Sequence, residues 1–242
     1  MPGYRTKQAQ IAVEGVDELT ICSLLDRQQY FDPLGEAERL GISAASWAYF
    51  GNLWPSSTWL AARLARRPID PSERVLEIGC GLALASLVGH RRGADVTASD
   101  CHPLAEHFLL ENLRLNKLPP MKYRHGRWGL RSVAPWQYDD RLPIVVVGRY
   151  DLIVGSDLLY ERDAEGALAR FIDAHAAPAA EIWIIDPDRG NRAEFYRAMG
   201  GQGFDVCQNR IDCSAMPGIP AYKGWWLRFH RRGSSHPSVQ NP

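Results

Sequence analysis

Asp157 and Tyr160 close the apolar stretch DLIVGSDLLYERD at residues 151–163. Leu152, Ile153 and Val154 read as a buried strand, so a carboxylate just beyond them is partly desolvated and needs a partner. An incoming ammonium or amide donor is a natural complement. A phenol three residues on can offer its ring face to a cation or its hydroxyl to a polar group. A second constellation lies upstream. Residues 74–81, RVLEIGCG, end an apolar run in Gly79 and Gly81 with Cys80 between them. Glycines there let backbone approach a ligand at the carboxyl edge of a sheet. Asp100 ends the next apolar run, 19 residues after Gly81, the distance at which an acid accepts both hydroxyls of a ribose.

Two cofactor classes use this geometry. A dinucleotide turn wants a third glycine three residues after the second, and Leu84 stands there instead, which disfavours a nicotinamide oxidoreductase. An acid two residues before the first glycine, here Glu77, with a looser third position suits S-adenosyl-L-methionine. Glu77 is expected to order the loop near the cationic end of that ligand, and Cys101, following Asp100, to touch its adenosine. The bland alternative is a tight turn with no ligand.

Positioning these groups requires an alternating fold. The segments RVLEI, DVTASD, MKYRHGRWG, YDLIVGSDLL and EIWIIDP read as strands. Between them ALASLVGHRRG, HPLAEHFLLENLRLN and EGALARFIDAHA read as helices. The first of these ends at Gly93; the second starts near Pro103 and carries Ala105, Phe108, Leu109 and Leu113 on one stripe. Strand–helix alternation implies right-handed βαβ units and a parallel sheet covered on both faces. After the helix NRAEFYRAMGGQG, the strands FDVCQNRI and YKGWWLRFHR have no helix between them, so they pair antiparallel. Upstream, PSSTWLAARLARRPID predicts a helix capped by Ser56 or Ser57, with Trp59, Leu60 and Leu64 on its apolar face. Residues 8–25 predict a hairpin around Gly15–Asp17.

On three stretches, LWPSSTWLA at 53–61, VLEIGCGLALASL at 75–87 and GSDLLY at 155–160, with Trp128 in GRWG as a fourth point, the chain resembles the class I, seven-strand S-adenosylmethionine-dependent methyltransferases. Within them it is most similar to the family-16 group, which includes many protein-lysine methyltransferases. The resemblance implies an α/β, Rossmann-like sheet of seven mostly parallel strands with helices on both faces and an antiparallel final strand. It also implies roles. Trp54 covers the cofactor from the N-terminal side, Gly79, Cys80 and Gly81 line its amino-acid end, Asp100 holds the ribose, Trp128 sits beside the adenine, and Ser156 borders the methyl-donor pocket. Asp157 and Tyr160 match an Asp-x-x-Tyr signature where the methyl acceptor enters. The expected activity is N-methylation of a protein lysine; the rivals are a small-molecule acceptor, another protein residue, or cofactor binding without catalysis. Asp157 as a helix N-cap, and Tyr160 and Trp54 as core aromatics, are the structural alternatives.

The expected organisation is an N-terminal extension at 1–54, a methyltransferase domain at 55–232 and a polar, disordered tail at 233–242. The 28 basic and 28 acidic residues cancel, which gives no electrostatic argument for nucleic acid or an anionic membrane, and neither is expected as a partner. Five cysteines without a C-x-x-C pair argue against a disulfide framework and a metal site and for a cytoplasmic setting; no apolar run is long enough to span a bilayer. A monomer is expected. His102 and His107 read as surface or half-buried residues, Cys207 and Cys213 as small core fillers, and Arg66–Arg67 and Arg91–Arg92 as solvated helix ends. Trp225 and Trp226, adjacent on a strand, must face opposite sides.

Overall fold

The computed structural model describes residues 3–35, 40–128, 144–163, 165–215 and 221–231. The tail at 233–242 lies outside them. A hairpin of β1 (Thr6–Val13) and β2 (Val16–Leu24) precedes a 3-10 turn, Trp47–Gly51, and helix α1 (Pro55–Arg66). The alternating part follows: β3 (Arg74–Ile78), α2 (Leu84–Arg91), β4 (Asp95–Asp100), α3 (Ala105–Leu115), β5 (Lys122–His125), β6 (Tyr150–Ser156), α4 (Ala167–His175) and β7 (Ala176–Asp186). Helix α5 (Arg192–Gly201), β8 (Phe204–Cys213) and β9 (Tyr222–Arg231) complete it.

Seven strands form one sheet in the order β5-β4-β3-β6-β7-β9-β8. The first five are mutually parallel, and β9 runs antiparallel to both β7 and β8. The chain moves outward from β3 through β4 to β5, then returns to lay β6 on the other side of β3. The carboxyl ends of β3 and β6 therefore flank a topological switch point, where open α/β sheets hold ligands. Alternation along each strand divides the core. Val75, Leu152, Val154, Trp183 and Ile185 pack on the face that carries α1, α2 and the hairpin, whereas Leu76, Ile78, Ile153, Ile182 and Ile184 face α4 and α5. That is why these strands are apolar throughout.

The hairpin is tied to the sheet layer by two asparagines, Asn112 in α3 and Asn116 at its C-cap. Asn112 Oδ1 accepts the Cys22 N–H at 2.7 Å and its amide donates to Leu82 O. Asn116 accepts from Thr20 N and donates to Thr20 O, both at 2.8 Å. Thr20 and Cys22 turn these groups away from β1, so the side chains close an edge that would otherwise be open for pairing.

Three sequence expectations change here. Neither Ser56 nor Ser57 is the cap of α1: Trp54 is, with φ −96° and ψ 142°, because a residue before proline is pushed to extended backbone. Arg67 and Arg92 are not solvated ends. Arg67 pairs with Glu73 at 2.6 Å and Glu181 at 3.1 Å, and Arg92 donates to Leu64 O and Arg67 O, closing the C-terminus of α1. Cys207 is exposed, because β8 is an edge strand with an outward face.

Replacing Asn112 by Ala leaves the Cys22 N–H buried without its acceptor, so the urea midpoint should fall by the equivalent of about 1–3 kcal/mol. The same change at Asn116, which is part-exposed, should cost less. Equal, negligible shifts in both variants would remove the asparagines from this role.

Candidate active site

Strand β3 ends where the chain must turn sharply back into α2. Gly79 and Gly81 sit at φ +59° and +52°, and Ala83 follows at +60°. A Cβ on Gly81 would lie 2.9 Å from the Phe50 carbonyl oxygen, so only glycine fits. A Cβ on Gly79 would meet Leu158 at 2.5 Å and the Trp128 ring at 3.1 Å. The turn is held by Cys80 N–H donating to Ser99 O and by Gly81 N–H donating to Asp100 Oδ2 at 2.8 Å. Asp100 Oδ1 accepts from His102 N at 2.8 Å. The Cys101 backbone N–H and thiol also hold this carboxylate. Burial raises the Asp100 pKa, opposed by the His102 and Gly81 amides.

Beyond this loop, residues from the ends of β3, β4, β5 and β6 and from the segment before α1 enclose one solvent-open cleft with a cavity of about 110 Å³. It is lined by Trp54, Gly79, Cys80, Gly81, Asp100, Cys101, Trp128, Ser156, Asp157 and Tyr160. These positions, up to 106 residues apart in the chain, come together at the switch point. Glu77 does not line it. Its side chain points inward, away from the cleft, and accepts the backbone N–H of Ser86 at 2.8 Å and the Ser86 hydroxyl. Glu77 thus ties β3 to α2 across the loop it was expected to order, without itself lining the cleft. Burial raises its pKa to about 7, against the pull of Ser86.

Trp54 is aimed by Pro55. Its indole donates to Tyr49 O at 2.9 Å, and Tyr49 stands edge-on between Trp54 (5.4 Å) and Tyr160 (5.7 Å). Asp157 follows β6 in left-handed backbone, φ +56°, anchored by its N–H on Ile185 O. That twist turns its carboxylate into the cleft at 7% exposure, 3.0 Å from the Arg189 guanidinium. Burial raises the Asp157 pKa, while Ser56 at the start of α1 and Arg189 lower it. Helix capping is done instead by Asp163, whose carboxylate accepts from Ala167 N and Leu168 N.

Sequence reasoning missed two groups. His102 is buried, not half-exposed: it stacks on Phe50 at 3.6 Å and leans on Trp47 at 4.3 Å in the cleft wall, and burial keeps it neutral. Its lack of helical partners made it look peripheral. Arg189 also lines the cleft. Its position just past the carboxyl end of β7, in Asp186-Pro187-Asp188-Arg189, was the available signal. Among the described residues no cluster of His, Cys, Asp and Glu is placed to hold a metal ion.

Comparison with known proteins agrees with this layout. A family model described as lysine methyltransferase matches residues 49–199. The zebrafish (Danio rerio) protein N-lysine methyltransferase METTL21A is 30% identical over 72% of this chain and 74% of its own. Human histone-arginine methyltransferase METTL23 is 28% identical over 54% of this chain and 67% of its own. Among solved structures, a SAM-dependent methyltransferase from Streptococcus mutans superposes with a TM-score of 0.58 at 11% identity, covering 92% of this chain and 55% of its own.

Two measurements probe the site's construction. Gly81→Ala forces a side chain onto left-handed backbone and the Phe50 carbonyl; it should cost about 1–3 kcal/mol and weaken S-adenosylhomocysteine binding at least tenfold by calorimetry. Glu77 binds its proton more tightly folded than unfolded, so its stabilising contribution is present at low pH and lost as pH rises toward 7. Wild type should lose on the order of 3 kcal/mol more than Glu77→Gln between about pH 4.5 and 7. Parallel stability curves for the two proteins would contradict this.

Proposed function

Because the chain belongs to the lysine methyltransferase family and is an S-adenosylmethionine-dependent methyltransferase, we propose that it N-methylates a lysine side chain of a protein substrate, with Asp157 and Tyr160 at the acceptor. The observation that carries this reading is that the glycine turn, Asp100 and Asp157 share one cleft. The fit to the cofactor rests on its walls. Gly79, Cys80 and Gly81 would border its amino-acid end, the Asp100 carboxylate at the end of β4 would take the ribose hydroxyls, and Cys101, Trp128 and Trp54 would cover the nucleoside. Ser156 would lie next to the reactive end. When bound, the cofactor supplies a sulfonium-activated methyl group.

The chain's own groups do the rest. Methyl transfer needs in-line alignment and exclusion of water more than acid–base strength. A lysine must first shed a proton, which at pH 7 costs about 4.6 kcal/mol from a free pKa of about 10.4. Asp157 accepts an N–H of the acceptor and orients its lone pair, with a relay of the proton as a further role. Tyr160 offers its ring or hydroxyl beside it. The acceptor side opens to solvent through Tyr160, 42% exposed, and Arg189, which supports a protein side chain over an enclosed metabolite. The zero net charge supports a protein partner over nucleic acid. Five free cysteines support a cytoplasmic, reducing setting. Residues 1–54 serve as an extension that lends Tyr49, Phe50 and Trp54 to the domain at 55–232.

The test is transfer of labelled methyl from S-adenosylmethionine into a whole-cell extract, followed by gel separation and amino-acid analysis. A labelled protein band yielding methyl-lysine is expected. Label in methyl-arginine, or only in small molecules, would overturn the acceptor assignment. Asp157→Asn should leave S-adenosylhomocysteine affinity within about threefold while transfer falls about a hundredfold or more.

A further inference from the structure

Asp157 poses a problem for the chemistry. An anion beside a lysine favours the ammonium, which cannot attack. The structure places a cation on that anion. Arg189 Nη2 lies 3.0 Å from Asp157 Oδ1, and the guanidinium carbon sits 5.3 Å from the centre of the Trp54 ring. Both contacts belong to the cleft wall. Trp54 is itself locked by Pro55 and by its bond to Tyr49 O, so the guanidinium rests on a fixed platform. The neighbouring carboxylate of Asp188 is engaged by Arg192 at 3.5 Å and Arg210 at 3.4 Å, which leaves Asp157 as the carboxylate that Arg189 pairs with. The turn that carries Arg189 is shaped by left-handed backbone at Asp188, φ +68°, and Gly190, φ +100°.

We propose that Arg189 is a positioning residue that neutralises Asp157, so that the acceptor nitrogen is received as an uncharged amine. This rests on the lysine reading above and deepens it. The ion pair occupies Oδ1, and Oδ2 accepts one N–H of the amine, leaving the lone pair for the methyl group. The proton goes to water as the side chain enters. A guanidinium held this close raises the cost of bringing an ammonium in and lowers the acceptor's pKa. The other charged and titratable neighbours are Asp186 and Asp188 at the end of β7, Arg192 on α5, Tyr222 on β9, Tyr160 after β6, and Arg27, which lies 4.6 Å from the Trp54 ring. Of these, the carboxylates would favour the ammonium; Asp188 is engaged by Arg192 and Arg210, which leaves Asp186. It is 1% exposed, its Oδ1 accepts from Asp188 N at 2.7 Å, and burial raises its pKa.

The experiment measures initial rates of labelled methyl transfer into extract protein from about pH 6 to pH 10 for full-length wild type, Arg189→Gln and Arg189→Lys. Arg189→Gln should move the acid limb of the profile up by about one pH unit and cut the neutral-pH rate about tenfold. Arg189→Lys keeps the charge and should return the limb toward wild type. S-adenosylhomocysteine affinity should stay within about threefold in both variants, reporting an intact fold. An unmoved limb in an active Arg189→Gln, or a faster neutral-pH rate, overturns this inference alone: Arg189 would then be a bystander or a plug. Absence of transfer by wild type at every pH overturns the acceptor reading and this inference with it.

Discussion

Four carboxylates buried at one edge of a parallel sheet must be satisfied with little help from water. Glu77, Asp100, Asp157 and Asp186 are all below a tenth exposed, and burial raises the pKa of each. An unsatisfied buried charge is expensive, and the four are held by different means, with Asp186 Oδ2 and both Asp157 oxygens left without a hydrogen bond. Glu77 is bound by the amide and hydroxyl of Ser86, Asp100 by the amides of Gly81 and His102, and Asp186 by the amide of Asp188. Asp157 alone among them pairs with an arginine. The site's rigidity follows from this. Glu77 ties β3 to α2 and Asp186 ties β7 to the turn that follows, while Asp100 joins the glycine turn to the end of β4 and Asp157 joins the ends of β6 and β7 through Arg189.

The division of labour along the sheet edge follows from topology. On the β3–β4 side, amide-held Asp100 and the left-handed glycine turn make a polar, close-fitting cradle with aromatic walls at Phe50 and Trp128. On the β6–β7 side, Asp157, Tyr160 and Arg189 make the more open, charged end. The segment before α1 bridges the two halves. Its W-P step orients Trp54, Tyr49 stands against both Trp54 and Tyr160, and Ser56, hydrogen-bonded to Tyr222 at 2.9 Å, faces Asp157. Residues outside the alternating core thus complete a cleft that the core alone would leave open.

The hairpin shows how such an addition is secured. Its buried residues Leu19, Ile21 and Leu24 join the core on the α3 face, while Asn112 and Asn116 supply the polar bonds that a sheet neighbour would otherwise provide. Apolar burial sets the affinity of the packing, and the two amides set its register, because only one alignment places Thr20 and Cys22 opposite both side chains.

The order of strands and helices, the antiparallel close, the hairpin and the residues of the Gly79–Gly81, Asp100 and Asp157–Tyr160 constellations were all legible from the chain, because local periodicity, glycine and acid spacing carry them within short windows. What only tertiary structure decided is which side chains those short windows face. Glu77 points into the α2 junction and not the cleft, His102 is buried under Phe50 and Trp47, Asp163 caps a helix in place of Asp157, and Arg67 lies between Glu73 and Glu181. Arg189 reaches Asp157 from 32 positions away. The reason is the same throughout: direction at a strand end is set by backbone twist and by neighbours from distant segments, and neither is written in the residues on either side.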